Sequence, residues 1–158
     1  MLDVTQKITK RRMELNLKDT QVAQRAGLSI DEYFDVELHP DEIYTVTPLG
    51  TVKNLAHVLG FDFMSLFEMP CPFCCGAIVL DDYSLPRNVL IRKKRENKGL
   101  SADQLGDRIG FATVAVNNME ADPAFLETWA LVYIQELAEA IDVPFQVLLA
   151  VKCTTCNN

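Results

Sequence analysis

Four cysteines could do chemistry together: Cys71, Cys74, Cys153 and Cys156. They form two C-x-x-C pairs. Two residues between cysteines let both thiolates reach one tetrahedral metal ion, and four sulfurs complete a structural zinc site. The spacer between the pairs is too long for a compact metal module. The chain itself supplies a way round this, because the pairs sit at the ends of two copies of one segment. Leu55–Cys74 lies over Leu137–Cys156 without a gap at an offset of 82, and Ile8–Glu37 lies over Ile91–Glu120 at an offset of 83. One residue is therefore lost between the blocks. A repeat of this kind decides architecture before any local pattern does. A pseudo-twofold axis relating the copies would bring the two pairs to one point. The expected cofactor is one structural zinc on Cys71, Cys74, Cys153 and Cys156. Cys75 is a spare that could replace Cys74. Unliganded thiols, a redox pair or two short-loop disulfides are the competing readings.

The chain has 158 residues, of which 49% are hydrophobic and 23% charged, so it reads as an ordinary globular protein. Two copies of about 75 residues each are small enough to need a metal, a staple or a partner. The polar, basic residues 1–12 do not resemble an export signal, and no apolar run reaches the ~18 residues of a membrane span. A reducing, cytoplasmic setting is expected, where paired cysteines point to metal before disulfide. Net charge is −7, with seven Lys/Arg against eleven Asp/Glu in residues 1–70 and eight against eleven in 71–158. Neither half is basic enough for strong non-specific binding to phosphate. A local basic face is compatible with that balance.

The elements that position the cysteines are helical throughout. In the first copy, a basic segment from Ile8 ends at Asn16–Leu17. Asp19 is the expected N-cap of a second helix, Thr20–Ala26, which closes at Gly27. Ser29 caps a third helix, Ile30–Leu38. A loop through Pro48 leads to helices 51–59 and 64–68. The second copy gives helices 89–97, from Ser101 to Gly110, 113–119, a single long helix 125–141, and 144–151. The predicted organisation is a first unit over 1–70, a cysteine knuckle and linker over 71–86, a second unit over 87–152, and a terminal knuckle over 153–158. Within the linker, residues 78–80 could form a short strand.

Two stretches carry a family resemblance. Leu100-Ser-Ala-Asp-Gln-Leu-Gly-Asp-Arg-Ile-Gly110 resembles the L-S-x-x-x-L-A-x-x-x-G signature of the lambda-repressor-like (Cro/XRE-type) helix-turn-helix family, and Leu17–Gly27 is similar. The segments from Leu55 and Leu137 resemble the family's fourth and fifth helices. Cys71-Pro-Phe-Cys74-Cys75-Gly76 in turn resembles a zinc-ribbon knuckle. The resemblance implies an all-α protein of two tandem five-helix units in a pseudo-twofold arrangement. It further implies a transcriptional regulator that binds double-stranded DNA as a covalent pseudo-dimer.

The family reads DNA with its third helix and the start of its second. Where the family's second helix opens with Gln after Ser, the two copies hold Asp19 and Ala102, a departure from the pattern, while Gln21 and Gln104 coincide in register as candidate contacts. The third helix of the second copy offers Thr113, Ala115, Asn117 and Asn118, a neutral surface on which Asn can pair with adenine. The third helix of the first copy places Ile30, Asp31, Glu32, Phe34 and Asp35 there, and its carboxylates repel phosphate. Lys10-Arg11-Arg12 and Lys93-Lys94-Arg95 recur in register on the first helix, as a solvated face or as contacts to the DNA backbone. The second copy is therefore the expected DNA reader. The alternative is a degenerate helix-turn-helix protein that binds another regulatory protein through Asp31, Glu32, Phe34 and Asp35.

His39 and His57 stand alone, and neither is expected to be a ligand. Phe125, Trp129 and Tyr133 read as a core or interface stripe. No nucleophile elbow, phosphate loop or dinucleotide-binding glycine pattern occurs, so neither an enzyme nor a small-molecule substrate is expected.

Overall fold

The computed structural model describes residues 3–71, 74, 85–151 and 153. These residues form an all-helical structure: α1 (Val4–Glu14), α2 (Asp19–Ala26), α3 (Ile30–Leu38), α4 (Glu42–Thr45), α5 (Leu49–Leu59), α6 (Phe63–Leu66), α7 (Arg87–Asn97), α8 (Ala102–Ile109), α9 (Thr113–Ala121), α10 (Leu131–Ala140) and α11 (Phe145–Leu148), with a 3-10 turn at Phe125–Thr128. No helix among them is long and apolar enough to cross a membrane. The possible strand at 78–80 lies outside the described residues.

The repeat is written into the backbone. Every element from α1 to α4 maps onto its counterpart, α7 to the 3-10 turn, at an offset of 83, and α5 and α6 map onto α10 and α11 at an offset of 82. The extra residue of the first copy thus lies in the short connection 46–48. Left-handed residues repeat as well. Asn16 pairs with Gly99, Gly27 with Gly110, Gly60 with Asp142, and Glu68 with Ala150, all with φ between 52° and 80°. A left-handed residue ends a helix by turning its last amides back onto orphan carbonyls. Gly27 does this to the Ala23 carbonyl and Gly110 to that of Gly106.

The buried apolar residues form one continuous core that runs through both copies, including Ile8, Leu49, Leu55 and Leu59 of the first and Ile91, Leu131, Ile134 and Leu137 of the second. The packing is reciprocal: α4 lies on α10, and its counterpart, the 3-10 turn, lies on α5. At the centre, Pro48 and Ala130 form an isolated antiparallel bridge, and the Leu49 amide donates to the Trp129 carbonyl at 2.8 Å. Pro48 and Ala130 are equivalent positions of the repeat.

This bridge corrects the expected long helix 125–141. Trp129 and Ala130 are extended (ψ 144° and 154°), which splits it into the 3-10 turn and α10. An unbroken helix would leave the Leu49 amide without its cross-copy acceptor. The loop expected before residue 51 is likewise shorter, because α4 fills part of it and α5 begins at Leu49, directly after Pro48. Asp19 is the first residue of α2 rather than its N-cap. Lys18 occupies that position, with its amide held by Gln21 Oε1 at 2.9 Å, while Asp19 pairs with Arg12. Ser29 and Ser101 cap α3 and α8 through reciprocal bonds with Glu32 and Gln104, as expected.

Each copy is tied internally by the same ion pair. Arg12 Nε lies 2.9 Å from Glu37 Oε1, and Arg95 Nε lies 2.5 Å from Glu120 Oε1; both arginines also donate to the loop carbonyl five residues on, Leu17 or Leu100. The clamp fastens α1 to α3 and α7 to α9. Side-chain exposure is only 12% for Arg95 and 5% for Glu120. Breaking such a pair from one side strands a buried charge at a cost of about 3–5 kcal/mol. Glu120→Ala is therefore expected to lower unfolding free energy by that order in urea denaturation followed by circular dichroism. A loss below about 1 kcal/mol would show the clamp to be ornamental.

Candidate metal centre and nucleic-acid interface

The two ends of the repeat converge. After α6 the chain turns through Glu68 (φ 55°) to Cys71, and after α11 it turns through the equivalent Ala150 (φ 52°) to Cys153. Residues with side chains adopt this conformation at some cost, and the same turn is used in both copies to deliver the cysteine. Cys71 and Cys153 are buried, at 5% and 9% exposure, and Cys74 is at the surface. The three sulfurs lie within 4.8 Å of one another, and Cys74 Sγ and Cys153 Sγ are 3.4 Å apart. That is contact between two sulfurs, well beyond the ~2.05 Å of a disulfide.

Zinc–sulfur bonds of ~2.3 Å in a tetrahedron put sulfurs about 3.8 Å apart. The three-thiol cluster has the donor type and spacing to hold a metal ion, with ligands from both copies. Cys156, the fourth expected ligand, and Cys75, the spare, lie outside the described residues. Both histidines are exposed, and neither belongs to the three-thiol cluster.

The proposed reading surfaces differ sharply between the copies. On α9, Asn117 and Asn118 are exposed, flanked by Val114 at 62% exposure. Ala115 packs against the core, and the Thr113 hydroxyl donates to Asp103 Oδ1 at 2.6 Å. α9 is seated close on α8: a β-carbon on Gly106 would lie 2.5 Å from the Phe111 carbonyl oxygen, so only glycine fits there without moving the turn. The counterparts of Asn117 and Asn118 on α3 are Phe34 and Asp35. There Asp31, Glu32, Phe34 and Asp35 are all exposed, and Leu38 is 70% exposed. Backbone and hydroxyl hydrogen bonds from Ser29 hold the Glu32 carboxyl below its ordinary pKa, so it stays charged.

The recurring cations divide by role. Arg12 and Arg95 recur because each copy needs its clamp, so the structure spends them on packing rather than on a solvated basic face. Arg11 donates to the Leu59 carbonyl at 3.0 Å and pairs with Glu14. Lys10 and Lys93 are exposed, and Lys94 is half-buried. Gln21 and Gln104 recur as capping partners, their carbonyls accepting from the amides of Lys18 and Ser101. The sequence reading overlooked Glu37 and Glu120, although the aligned block ends on them. It also overlooked Glu127, which crosses the joint to Lys53 at 2.7 Å and pairs with Arg87. Of the aromatic stripe, Trp129 is buried, its ring stacked on Phe111 at 4.3 Å and set edge-on to Tyr133, which is itself exposed.

Compared with protein-family models, with curated proteins and with solved structures, the chain matches none.

The metal centre gives a direct expectation. If an ion bridges the copies through Cys71 and Cys153, a strong chelator lowers the melting temperature of the full chain by about 4–8 °C, equivalent to ~2 kcal/mol at this size. Cys153→Ser is expected to show the lowered value already and to be insensitive to chelator. Equal melting of all forms would show that the cluster holds no stabilising ion.

Proposed function

We propose that the chain is a small transcriptional regulator built as a covalent pseudo-dimer of two XRE-like helix-turn-helix units, α1–α6 and α7–α11. It binds double-stranded DNA mainly through the second unit, with a structural zinc on Cys71, Cys74, Cys153 and Cys156 joining the halves. The observation that carries this reading is the neutral exposed face of α9. Asn117 and Asn118 offer the donor and acceptor pair that reads adenine in the major groove. Lys93 and Lys94 on α7 supply the flanking charge, and Lys10 and Arg11 supply it on the first unit. With Arg95 and Arg12 committed to clamps, the phosphate contacts are few, and binding is correspondingly modest and salt-sensitive.

One observation favours a second reading. α3 displays Asp31, Glu32 and Asp35 around the exposed Phe34 and Leu38. An acidic rim around apolar side chains suits a basic protein surface better than DNA. In that reading the first unit docks another regulatory protein.

One mutant set separates them. Under the DNA reading, Asn117→Ala with Asn118→Ala relaxes sequence preference in a gel shift by ~1–3 kcal/mol per lost bidentate contact. Lys93→Ala with Lys94→Ala weakens all sequences and flattens the salt dependence by about one unit per phosphate contact, while Asp31→Asn with Asp35→Asn leaves affinity equal or higher. Loss of a protein partner on neutralising Asp31 and Asp35, with the Asn changes silent, would replace the leading reading by the second.

A further inference from the structure

The joint between the copies is symmetric in backbone and asymmetric in filling. On one side, Glu127 lies against Gly50, its carbonyl 3.3 Å from where a β-carbon would sit, and its carboxylate reaches Lys53 and Arg87. That corner is occupied by ion-paired side chains. At the equivalent corner, Tyr44 stands in place of Glu127, Val132 in place of Gly50, and Gln135 in place of Lys53. The Tyr44 ring packs on Phe67, centroids 5.4 Å apart and edge to face. A cavity of about 310 Å³ is left open between α4 and α10, lined by Tyr44, Thr45, Phe67, Val132, Gln135 and Phe145 among others.

We infer that this cavity is a binding site for a small, uncharged, largely aromatic molecule that donates a hydrogen bond. Its volume falls at the lower end of the ~300–1,000 Å³ of small-molecule sites. Among the described residues no charged side chain lines it, and the charges that act on Tyr44 are the carboxylates of Asp3 and Glu68, so an anionic ligand finds nothing there to offset its desolvation. Its walls are aromatic and aliphatic. The Thr45 hydroxyl already donates to the Asp41 carbonyl, and the Gln135 amide nitrogen donates to Glu139. Acceptor lone pairs at both residues and the second Gln135 N–H remain, so a ligand O–H or N–H finds an acceptor there and can accept in return. Both copies contribute walls, so a bound molecule fills on this side the space that Glu127 fills on the other. The inference is independent of whether the chain binds DNA.

The test uses the full chain and three naphthalenes of like size in isothermal titration calorimetry. 1-Naphthol is expected to bind saturably at one per chain, 1-methoxynaphthalene about tenfold more weakly for want of the donor, and 1-naphthalenesulfonate not measurably. Val132→Trp, which fills the cavity, is expected to weaken 1-naphthol at least tenfold with unchanged helical circular dichroism. Gln135→Trp, on an exposed position of α10, does the same should the Val132 variant fail to fold. Absence of saturable 1-naphthol binding, equal binding of the three probes, or binding unaffected by the folded cavity-filling variants would overturn the site.

Discussion

The structure depends on the joint between its two copies, whose buried apolar residues form one core. A domain of about 75 residues buries only some 60% of the surface its unfolded chain exposes. Here the cores of two such units run together, and the junction is marked by the 2.8 Å hydrogen bond from the Leu49 amide to the Trp129 carbonyl. Around that bond the same elements are placed twice. α4 packs on α10 as the 3-10 turn packs on α5, and the left-handed turns at Glu68 and Ala150 send Cys71 and Cys153 to a common point. The cysteine cluster is thus a consequence of the joint. Cys71 and Cys153, 82 apart in sequence, meet at one point.

On this duplicated frame the two copies have diverged where the side chains face outward or face each other. The clamps Arg12–Glu37 and Arg95–Glu120 are retained, since α1 and α7 would otherwise lose their hold on α3 and α9. The exposed faces of α3 and α9 are not retained: carboxylates and Phe34 in one, Asn117 and Asn118 in the other. The joint itself is ionic at Glu127, Lys53 and Arg87 and open at Tyr44, Val132 and Gln135. Burial pushes the Lys53 ammonium below its ordinary pKa, an effect that its pairing with Glu127 only partly offsets. A duplicated backbone with unequal surfaces lets one chain keep a fixed architecture while each face takes a different task.

Much of this was legible in the sequence. The helices with strong caps and glycine stops, α3 after Ser29 and α8 between Ser101 and Gly110, were placed correctly because local hydrogen bonding defines their ends. The repeat gave the cysteine pairs a reason to meet, and Cys71, Cys74 and Cys153 do meet. What failed were features decided by tertiary contacts, within a copy or across the joint. The apolar spacing of residues 125–141 suits one helix, and nothing local at Trp129 or Ala130 breaks it. The break accommodates the bridge with Pro48, whose equivalence to Ala130 at an offset of 82 was the available signal. The arginines on α1 and α7 looked like a basic face because their acceptors, Glu37 and Glu120, lie 25 residues away. A charge pattern along one helix does not reveal a partner on another.

A metal held by thiolates from both copies would close the joint at one end. X-ray absorption at the zinc edge, on full-length protein purified without added metal, tests it most directly. The account expects one zinc per chain with four sulfurs at ~2.3 Å, and loss of that signal in Cys71→Ser and in Cys153→Ser alike, because each copy supplies half the site. A folded chain free of zinc, or a zinc site that survives Cys153→Ser with its sulfur shell unchanged, would contradict it.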